Sequence, residues 1–115
     1  MRRFRAALLL MVALTLPASV AGSANNPLII IAGPGSAATT YYTPRIVSLK
    51  GRIVKFRNLD VPRHDVRSNT PGLFGSALIG FGKQTNVNGT QNLARGTYKF
   101  FCSLHPNMKG QLIVQ

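Results

Sequence analysis

The sequence predicts an all-β domain, an antiparallel sandwich or barrel, that follows an export signal. Short runs rich in β-branched and aromatic residues recur at regular spacing, and Gly, Pro and Asn separate them. No apolar stripe of helical period extends over any length after residue 24. The chain has 115 residues, which is enough for one small domain.

The first 24 residues have the three parts of a secretory signal peptide. A basic segment, MRRFR, precedes an apolar run from Ala6 to Leu16, and the small residues of PASVAGSA follow. The apolar run is shorter than the roughly 20 residues that a membrane span requires. We expect cleavage after Ala21 or Ala24, a mature domain over residues 25–115, and a periplasmic or otherwise extracytoplasmic location without stable membrane insertion.

The first half of the domain has three stretches with strand character. LIIIA at residues 28–32 is a continuous apolar run that a Gly-Pro-Gly segment closes. Residues 41–49 form a second extended stretch, in which Pro44 indicates a sheet edge or a bulge. Lys50-Gly51 predicts a hairpin turn into RIVKFR at residues 52–57, where apolar and basic side chains alternate.

The second half becomes regular only near its end. Residues 68–84 contain four glycines and predict a loop with one short strand or turn. The TNVNGTQ segment after them is polar and only weakly strand-like. TYKFFC places Tyr98, Phe100 and Cys102 on one face, because side chains alternate along a strand. Residues 111–114, QLIV, predict the last strand.

The charge of the chain restricts its partners. Fourteen Lys and Arg stand against two acidic residues, Asp60 and Asp65, for a net charge of +12. The mature domain keeps a net charge of +9 once the three arginines of the signal are removed. Such a charge favours acidic partners, or it serves only as a solvated surface. The basic residues form no dense run, so we expect no nucleic-acid binding.

Three potential metal ligands lie close together in FFCSLHPNMKG near the C-terminus. Cys102, His105 and Met108 form a C-x-x-H-x-x-M motif. Pro106 disfavours helical geometry for the residue before it, so we expect a loop between the last two strands. The other histidine, His64, follows RIVKFR in VPRHDV and has to come from a different loop.

This donor set is typical of electron-transfer copper. Two histidines, one thiolate and one thioether match a trigonal His₂Cys site with a distant axial methionine. A structural zinc site uses four strong ligands, usually with more cysteine. Each residue alone is more often structural, since a lone Cys or Met commonly packs in a core. Copper also explains the unpaired thiol of an exported chain, because a metal-bound thiolate is protected from disulfide formation.

Two segments resemble the cupredoxin family, which includes plastocyanin, pseudoazurin and amicyanin. They are YTPRIVSLKGRIVKFRNLDVPRHDV and GTYKFFCSLHPNMKGQLIV, and the short ligand loop is most similar to that of amicyanin. The resemblance implies a Greek-key β-sandwich of two sheets with one copper ion, Cu(I) or Cu(II), at one end. By matching positions, His64, Cys102 and His105 would be equatorial ligands and Met108 the axial ligand.

The sequence departs from the family pattern beside His64. Arg63 stands between this histidine and the proline that usually precedes it, and Asp65 replaces a frequent Asn. Asp65 is a candidate to accept a hydrogen bond from Ser103, or to turn instead toward Arg63 or Arg67. A carboxylate this close to copper would favour Cu(II) and lower the potential.

We expect a monomeric one-electron carrier that serves acidic redox partner proteins, and we do not expect an enzyme. Electrons would leave through His105, and Leu104 and Pro106 would form an apolar docking surface with Phe74 or Phe81. The alternative is a periplasmic copper chaperone or storage protein with the same ligands, although the chain has no Met- or His-rich tract. A metal-free cationic domain that binds an anionic surface is a third reading.

Overall fold

A computed structural model describes residues 28–39 and 42–115, so the predicted signal peptide lies outside the described residues. The strands are β1 (Ile29–Ala32), β2 (Arg45–Ser48), β3 (Val54–Asn58), β4 (Arg67–Ser68), β5 (Gln84–Val87), β6 (Gly96–Phe101) and β7 (Lys109–Val114). A single helical turn, α1 (Ser36–Thr39), follows β1, and a 3₁₀ turn spans Thr90–Asn92. Within these residues, no helix has the length and apolarity to cross a bilayer.

The strands form two sheets that face each other, which confirms the predicted all-β sandwich. One sheet has the order β1-β3-β5, and the other has the order β2-β7-β6-β4. The sheets are mixed and not purely antiparallel. β1 pairs with β3 in parallel, and β2 pairs with β7 in parallel, whereas the other pairs are antiparallel.

The predicted hairpin at Lys50-Gly51 is wrong in its topology. The turn exists, and Gly51 has the positive φ of 88° that suits a glycine. However, β2 and β3 belong to different sheets, so this turn carries the chain across the sandwich. The prediction for residues 68–84 was closer, because this segment is mostly loop and contains isolated bridges at Gly75 and Ile79.

The core forms where the inward faces of the two sheets meet. Alternation in β3 buries Val54 and Phe56, and alternation in β6 and β7 buries Phe100 and Leu112. Tyr42 lies between the sheets and packs edge-on against two rings, with centroid distances of 6.1 Å to Phe56 and 5.4 Å to Phe100. This aromatic group leads toward the end of the sandwich where the predicted ligands lie.

Gly110 in β7 permits close packing within the four-stranded sheet. It pairs with Phe100 of β6, and the Phe100 ring occupies the space where a side chain would be. A Cβ at this position would collide with the ring and would lie 2.6 Å from the carbonyl oxygen of Thr43. The glycine is therefore required by contact with backbone and ring, and not by its own φ angle.

Replacement of Gly110 by alanine should destabilise the fold by about 1–3 kcal/mol, because the added methyl overpacks the site. Urea unfolding of the metal-free domain measures the change in the free energy of unfolding. Gly80→Ala is the matched control, since a Cβ there has nothing within 4 Å. Equal stabilities of the two variants would contradict the packing argument.

Candidate metal centre

His64 is held by the loop that follows β3. The buried Asn58 side chain donates to the carbonyl oxygens of Pro62 and Ile79, both at 2.9 Å, and accepts from the Asp60 N–H. The backbone of His64 exchanges two hydrogen bonds with Ile79, at 3.3 and 3.0 Å. One amide side chain and one bridge therefore fix the position of this buried histidine.

The ring of His64 is oriented by a carboxylate. Its Nε2 lies 2.7 Å from Oδ2 of Asp60, four residues earlier, and its Nδ1 lies 3.6 Å from Sγ of Cys102. A proton on Nε2 donated to Asp60 leaves the Nδ1 lone pair directed at the thiol. This is the arrangement by which carboxylates select the tautomer of metal-binding histidines.

Asp60 is itself buried and fully engaged. It accepts from the backbone N–H groups of Gly35 and Ala37, at 2.9 and 3.2 Å, and from the Ser36 hydroxyl at 3.1 Å. Burial alone would raise its pKa, but the hydrogen bonds from His64, Gly35, Ala37 and Ser36 outweigh it and hold the pKa well below its usual range. The segment after β1 is thereby joined to His64.

The predicted ligand loop closes on itself through its backbone. The Cys102 N–H donates to the Met108 carbonyl at 3.0 Å, the His105 N–H donates to the Cys102 carbonyl at 3.2 Å, and the Met108 N–H donates to the His105 carbonyl at 2.8 Å. These bonds link three predicted ligands in a tight turn between β6 and β7. The loop expected from Pro106 is present.

Three predicted ligands from two loops converge at one point. Sγ of Cys102 is 3.6 Å from Nδ1 of His64 and 3.8 Å from Nδ1 of His105, and the three ligand atoms lie within 4.8 Å of one another. A nitrogen at ~2.0 Å and a sulfur at ~2.3 Å from one ion, 120° apart, would be about 3.7 Å from each other. The donor set therefore fits a single metal ion.

Burial sets the chemistry of the thiol. Cys102 is inaccessible to solvent, and burial raises the pKa of its thiol above the ordinary value despite hydrogen bonds from the backbone around it. Without a metal the thiol is thus neutral at physiological pH, and metal binding has to release its proton.

Met108 lies beside this cluster along the chain. Its side chain is fully buried and belongs to the hydrophobic core, together with Cys102. Its backbone groups close the ligand loop as described. A thioether has the softness that a weak axial ligand requires.

Asp65 joins the two ligand loops. Its Oδ1 accepts from the Ser103 N–H at 2.7 Å, and its Oδ2 accepts from the Ser103 hydroxyl at 2.6 Å. Of the two arginines considered for this carboxylate, Arg67 makes the contact, with Nε at 3.4 Å from Oδ2. The Tyr42 hydroxyl donates to the Asp65 carbonyl at 2.6 Å, so the aromatic core supports the same loop.

The apolar surface predicted near His105 is present only in part. Leu104 is 53 % exposed, and Pro106 is exposed, while His105 is partly buried. Phe81 is also exposed, but Phe74 is only 6 % exposed and packs against Tyr98, with ring centroids 6.3 Å apart. Of the two phenylalanines expected as alternatives for the docking surface around His105, Phe81 is thus the exposed one and Phe74 is not.

Sequence reasoning missed Asp60 as a site residue. The same holds for its partner Ser36 and for Asn58. One signal was available, since Asp60 is one of two acidic residues in the chain and precedes His64 by four positions. Metal-binding histidines commonly need such a carboxylate. The partners from residues 35–37 had no comparable signal, because the fold alone brings them to the loop.

A family model described as "Cupredoxin-like domain" matches residues 5–114. The chain belongs to the cupredoxin family. Among proteins with curated functions, no sequence gives a significant match.

A purple cupredoxin from Nitrosopumilus maritimus is 25 % identical, with a TM-score of 0.66 over 76 % of this chain and 99 % of that chain. A reduced amicyanin variant is 21 % identical, with a TM-score of 0.62 over 83 % of this chain and 88 % of that chain. A copper-containing nitrite reductase from Thermus scotoductus is 24 % identical, with a TM-score of 0.60 over 78 % of this chain but 22 % of the reductase.

The cupredoxin family and the His64–Cys102–His105 cluster together support one copper ion in this protein. They also support a blue copper electron carrier in general terms. The similarity to amicyanin and to the nitrite reductase shows the fold alone.

Asp60→Asn should destabilise the metal-free domain at pH 7 by about 1–3 kcal/mol, because buried donors lose a charged acceptor. The pKa of Asp60 is lowered by folding, so its contribution is present above the unfolded pKa of about 3.9 and is lost as the pH falls below it. The difference between wild type and variant should therefore shrink at pH 3.

Urea unfolding at pH 7 and pH 3 measures this difference. Ser36→Ala is the control, because it removes one hydrogen bond but keeps the carboxylate. Ser36→Ala should retain the pH dependence of the wild type. An Asp60→Asn variant with the same pH dependence as the wild type would refute the role of this carboxylate.

Proposed function

We propose that the protein is an exported blue copper protein that carries single electrons between redox partner proteins. The observation that carries the proposal is the convergence of Cys102 Sγ with the Nδ1 atoms of His64 and His105 at 3.6 and 3.8 Å. One thiolate and two imidazoles at one point, with a buried methionine on the same loop, are the donors of an electron-transfer copper site. An exported location is the proposal that the signal-like residues 1–24 support.

We assign the equatorial ligands as His64, Cys102 and His105, and the axial ligand as Met108. Bound copper would supply the chemistry by alternating between Cu(I) and Cu(II). Asp60 keeps His64 in one tautomer and orientation, and Asp65 ties the residue after Cys102 to the residue after His64. Ligands held in this way rearrange little between oxidation states, which favours fast electron transfer.

His105 is the proposed exit for electrons. His64 and Cys102 are fully buried, whereas the His105 ring is partly accessible and packs at 4.7 Å from the His64 ring. Exposed Leu104 and Pro106 flank it, and a small apolar contact suits a transient redox encounter. The positive charge of the domain would steer an acidic partner toward the protein, and the protein itself would act as a monomer.

Burial of the ligands favours a carrier over a copper chaperone or store. Cys102 and His64 are inaccessible to solvent, so an acceptor protein could not easily reach the ligands of a bound ion to remove it. The proposed protein thus keeps its copper through many cycles and does not transform a substrate. Transfer of Cu(I) to an external chelator within one redox cycle would instead favour the chaperone.

The mature domain with added Cu(II) should show the intense blue colour of a copper–thiolate bond. Cys102→Ser should abolish this colour, because the substitution removes the thiolate. Visible absorption spectroscopy makes the measurement, and circular dichroism checks that the variant is folded. A colourless wild-type protein, or a blue colour that persists in Cys102→Ser, would contradict the proposed site.

Met108→Gln should keep the charge-transfer colour and lower the copper potential, because the axial ligand tunes the potential without making the copper–thiolate bond. Spectroelectrochemical titration measures the potential. Leu112→Met is a suitable control, since it changes a buried side chain of β7 away from the ligand loop. A potential unchanged in Met108→Gln would exclude Met108 as the axial ligand.

A further inference from the structure

We propose that Arg67 is the contact through which an acidic redox partner changes the copper potential. The inference rests on the proposed function as an electron carrier. A carboxylate of the partner protein binds the Arg67 guanidinium in a groove beside the site and weakens the interaction of Arg67 with Asp65. The effect passes from Asp65 to the thiolate loop.

The two side chains of the ion pair between Arg67 and Asp65 differ strongly in their exposure to solvent. The Asp65 side chain is 1 % exposed, whereas the Arg67 side chain is 60 % exposed. A single contact at 3.4 Å joins Nε to Oδ2. The charge of a buried carboxylate is thus partly offset by a cation that lies mostly in solvent, where another protein can reach it.

The groove next to Arg67 has room and donors for a carboxylate. It has a volume of about 550 Å³, and its lining includes Asn69, Phe74, Asn88 and Phe101. In the part of the chain that the structure describes, the side-chain amides of Asn69 and Asn88 make no hydrogen bond, and Arg67 has Asp65 as its only side-chain acceptor. The N–H donors of one guanidinium and two amide side chains, beside aromatic rings, suit a Glu or Asp side chain.

The protein has no carboxylate side chain of its own to occupy this groove. Its two acidic residues, Asp60 and Asp65, are both buried and already accept hydrogen bonds. The outer face of the four-stranded sheet places Phe101 between Arg67 on β4 and Lys109 on β7. Two cations around one aromatic ring favour an acidic protein surface as the occupant, by charge complementarity.

The path from Arg67 to the metal centre is short and consists of hydrogen bonds. Asp65 accepts two bonds from Ser103, at 2.7 and 2.6 Å, and Ser103 directly follows Cys102. When a partner carboxylate engages Arg67, the negative charge of Asp65 is less compensated. A copper ion held by the site would then be stabilised more strongly as Cu(II) than as Cu(I), and it would give one electron more readily to the one-electron acceptor of the bound partner.

The first measurement tests binding and does not depend on copper chemistry. The probe is an N-acetylated tetraglutamate peptide, and tetraglutamine at equal ionic strength is its control. In NMR spectra of the Cu(I) protein and of the metal-free protein, tetraglutamate should shift the Arg67 Nε–H and Ser103 N–H signals. Tetraglutamine should leave both signals in place. Shifts confined to lysine-bearing surfaces elsewhere would overturn the assignment of the groove.

The second measurement is the copper potential. Saturating tetraglutamate should change the Cu(II)/Cu(I) ratio at a fixed potential by roughly two- to fivefold toward Cu(II), the range for a partly exposed ion pair. This corresponds to a fall of about 20–40 mV for one electron. Arg67→Gln should lower the potential by a similar amount without peptide, and peptide should then have no further effect.

Lys109→Gln is the matched control, because Lys109 occupies the same row of the sheet but does not contact Asp65. It should weaken the binding of tetraglutamate and leave the shift of the potential at saturation intact. Arg67→Lys is a second variant in case Arg67→Gln folds poorly, and it should reduce the shift because the Nε contact is lost.

A double-mutant cycle decides whether Asp65 transmits the effect. Arg67→Gln should lower the potential in the wild type but change it little in the Asp65→Asn background. In that background the buried carboxylate charge that Arg67 offsets is already absent. Equal shifts in both backgrounds would indicate a simple through-space field and would overturn the proposal. A blue protein whose potential ignores tetraglutamate would overturn this inference alone, whereas a colourless protein would overturn the proposed function itself.

Discussion

Two buried carboxylates join the loops of the metal centre to each other and to the segment after β1. Asp60 accepts from His64 and from the segment just after β1, and Asp65 accepts from Ser103 beside Cys102. One carboxylate therefore orients a ligand, and the other joins the loops that supply ligands. Buried charges are costly unless fully hydrogen-bonded, and both meet this condition through several donors. The site is thus assembled by polar contacts at the end of an apolar sandwich.

The sandwich makes these contacts possible by bringing distant parts of the chain to one end. The loop with His64 follows β3, and the loop with Cys102 and His105 connects β6 to β7. The strands on either side of the first loop, β3 and β4, lie in different sheets. Tyr42 connects the layers, since its ring packs in the core and its hydroxyl donates to the Asp65 carbonyl. One side chain in this way connects the core to a loop that would hold the metal.

The sequence predicted local features better than long-range ones. The ligand loop could be predicted because Cys102, His105 and Met108 are close in sequence and Pro106 restricts the backbone. The turn at Lys50-Gly51 was recognised, but its role was not, because turn chemistry does not say which sheet receives the next strand. The contacts of Asp60 with residues 35–37 could not be predicted, since they arise from tertiary packing across more than twenty residues. Phe74 was misplaced for the same reason, as burial in a glycine-rich loop leaves no periodic pattern.

The burial of both acidic side chains has a consequence for how the protein behaves as its surroundings acidify. Exposed carboxylates normally titrate near pH 4 and make the net charge of a protein rise as the pH falls. Both acidic side chains of this chain are buried, and the charge of its Lys and Arg residues is constant across the acid range. Any variation of encounter rate with acidity must then come chiefly from the partner, whose carboxylates lose charge while the cationic surface of this protein does not.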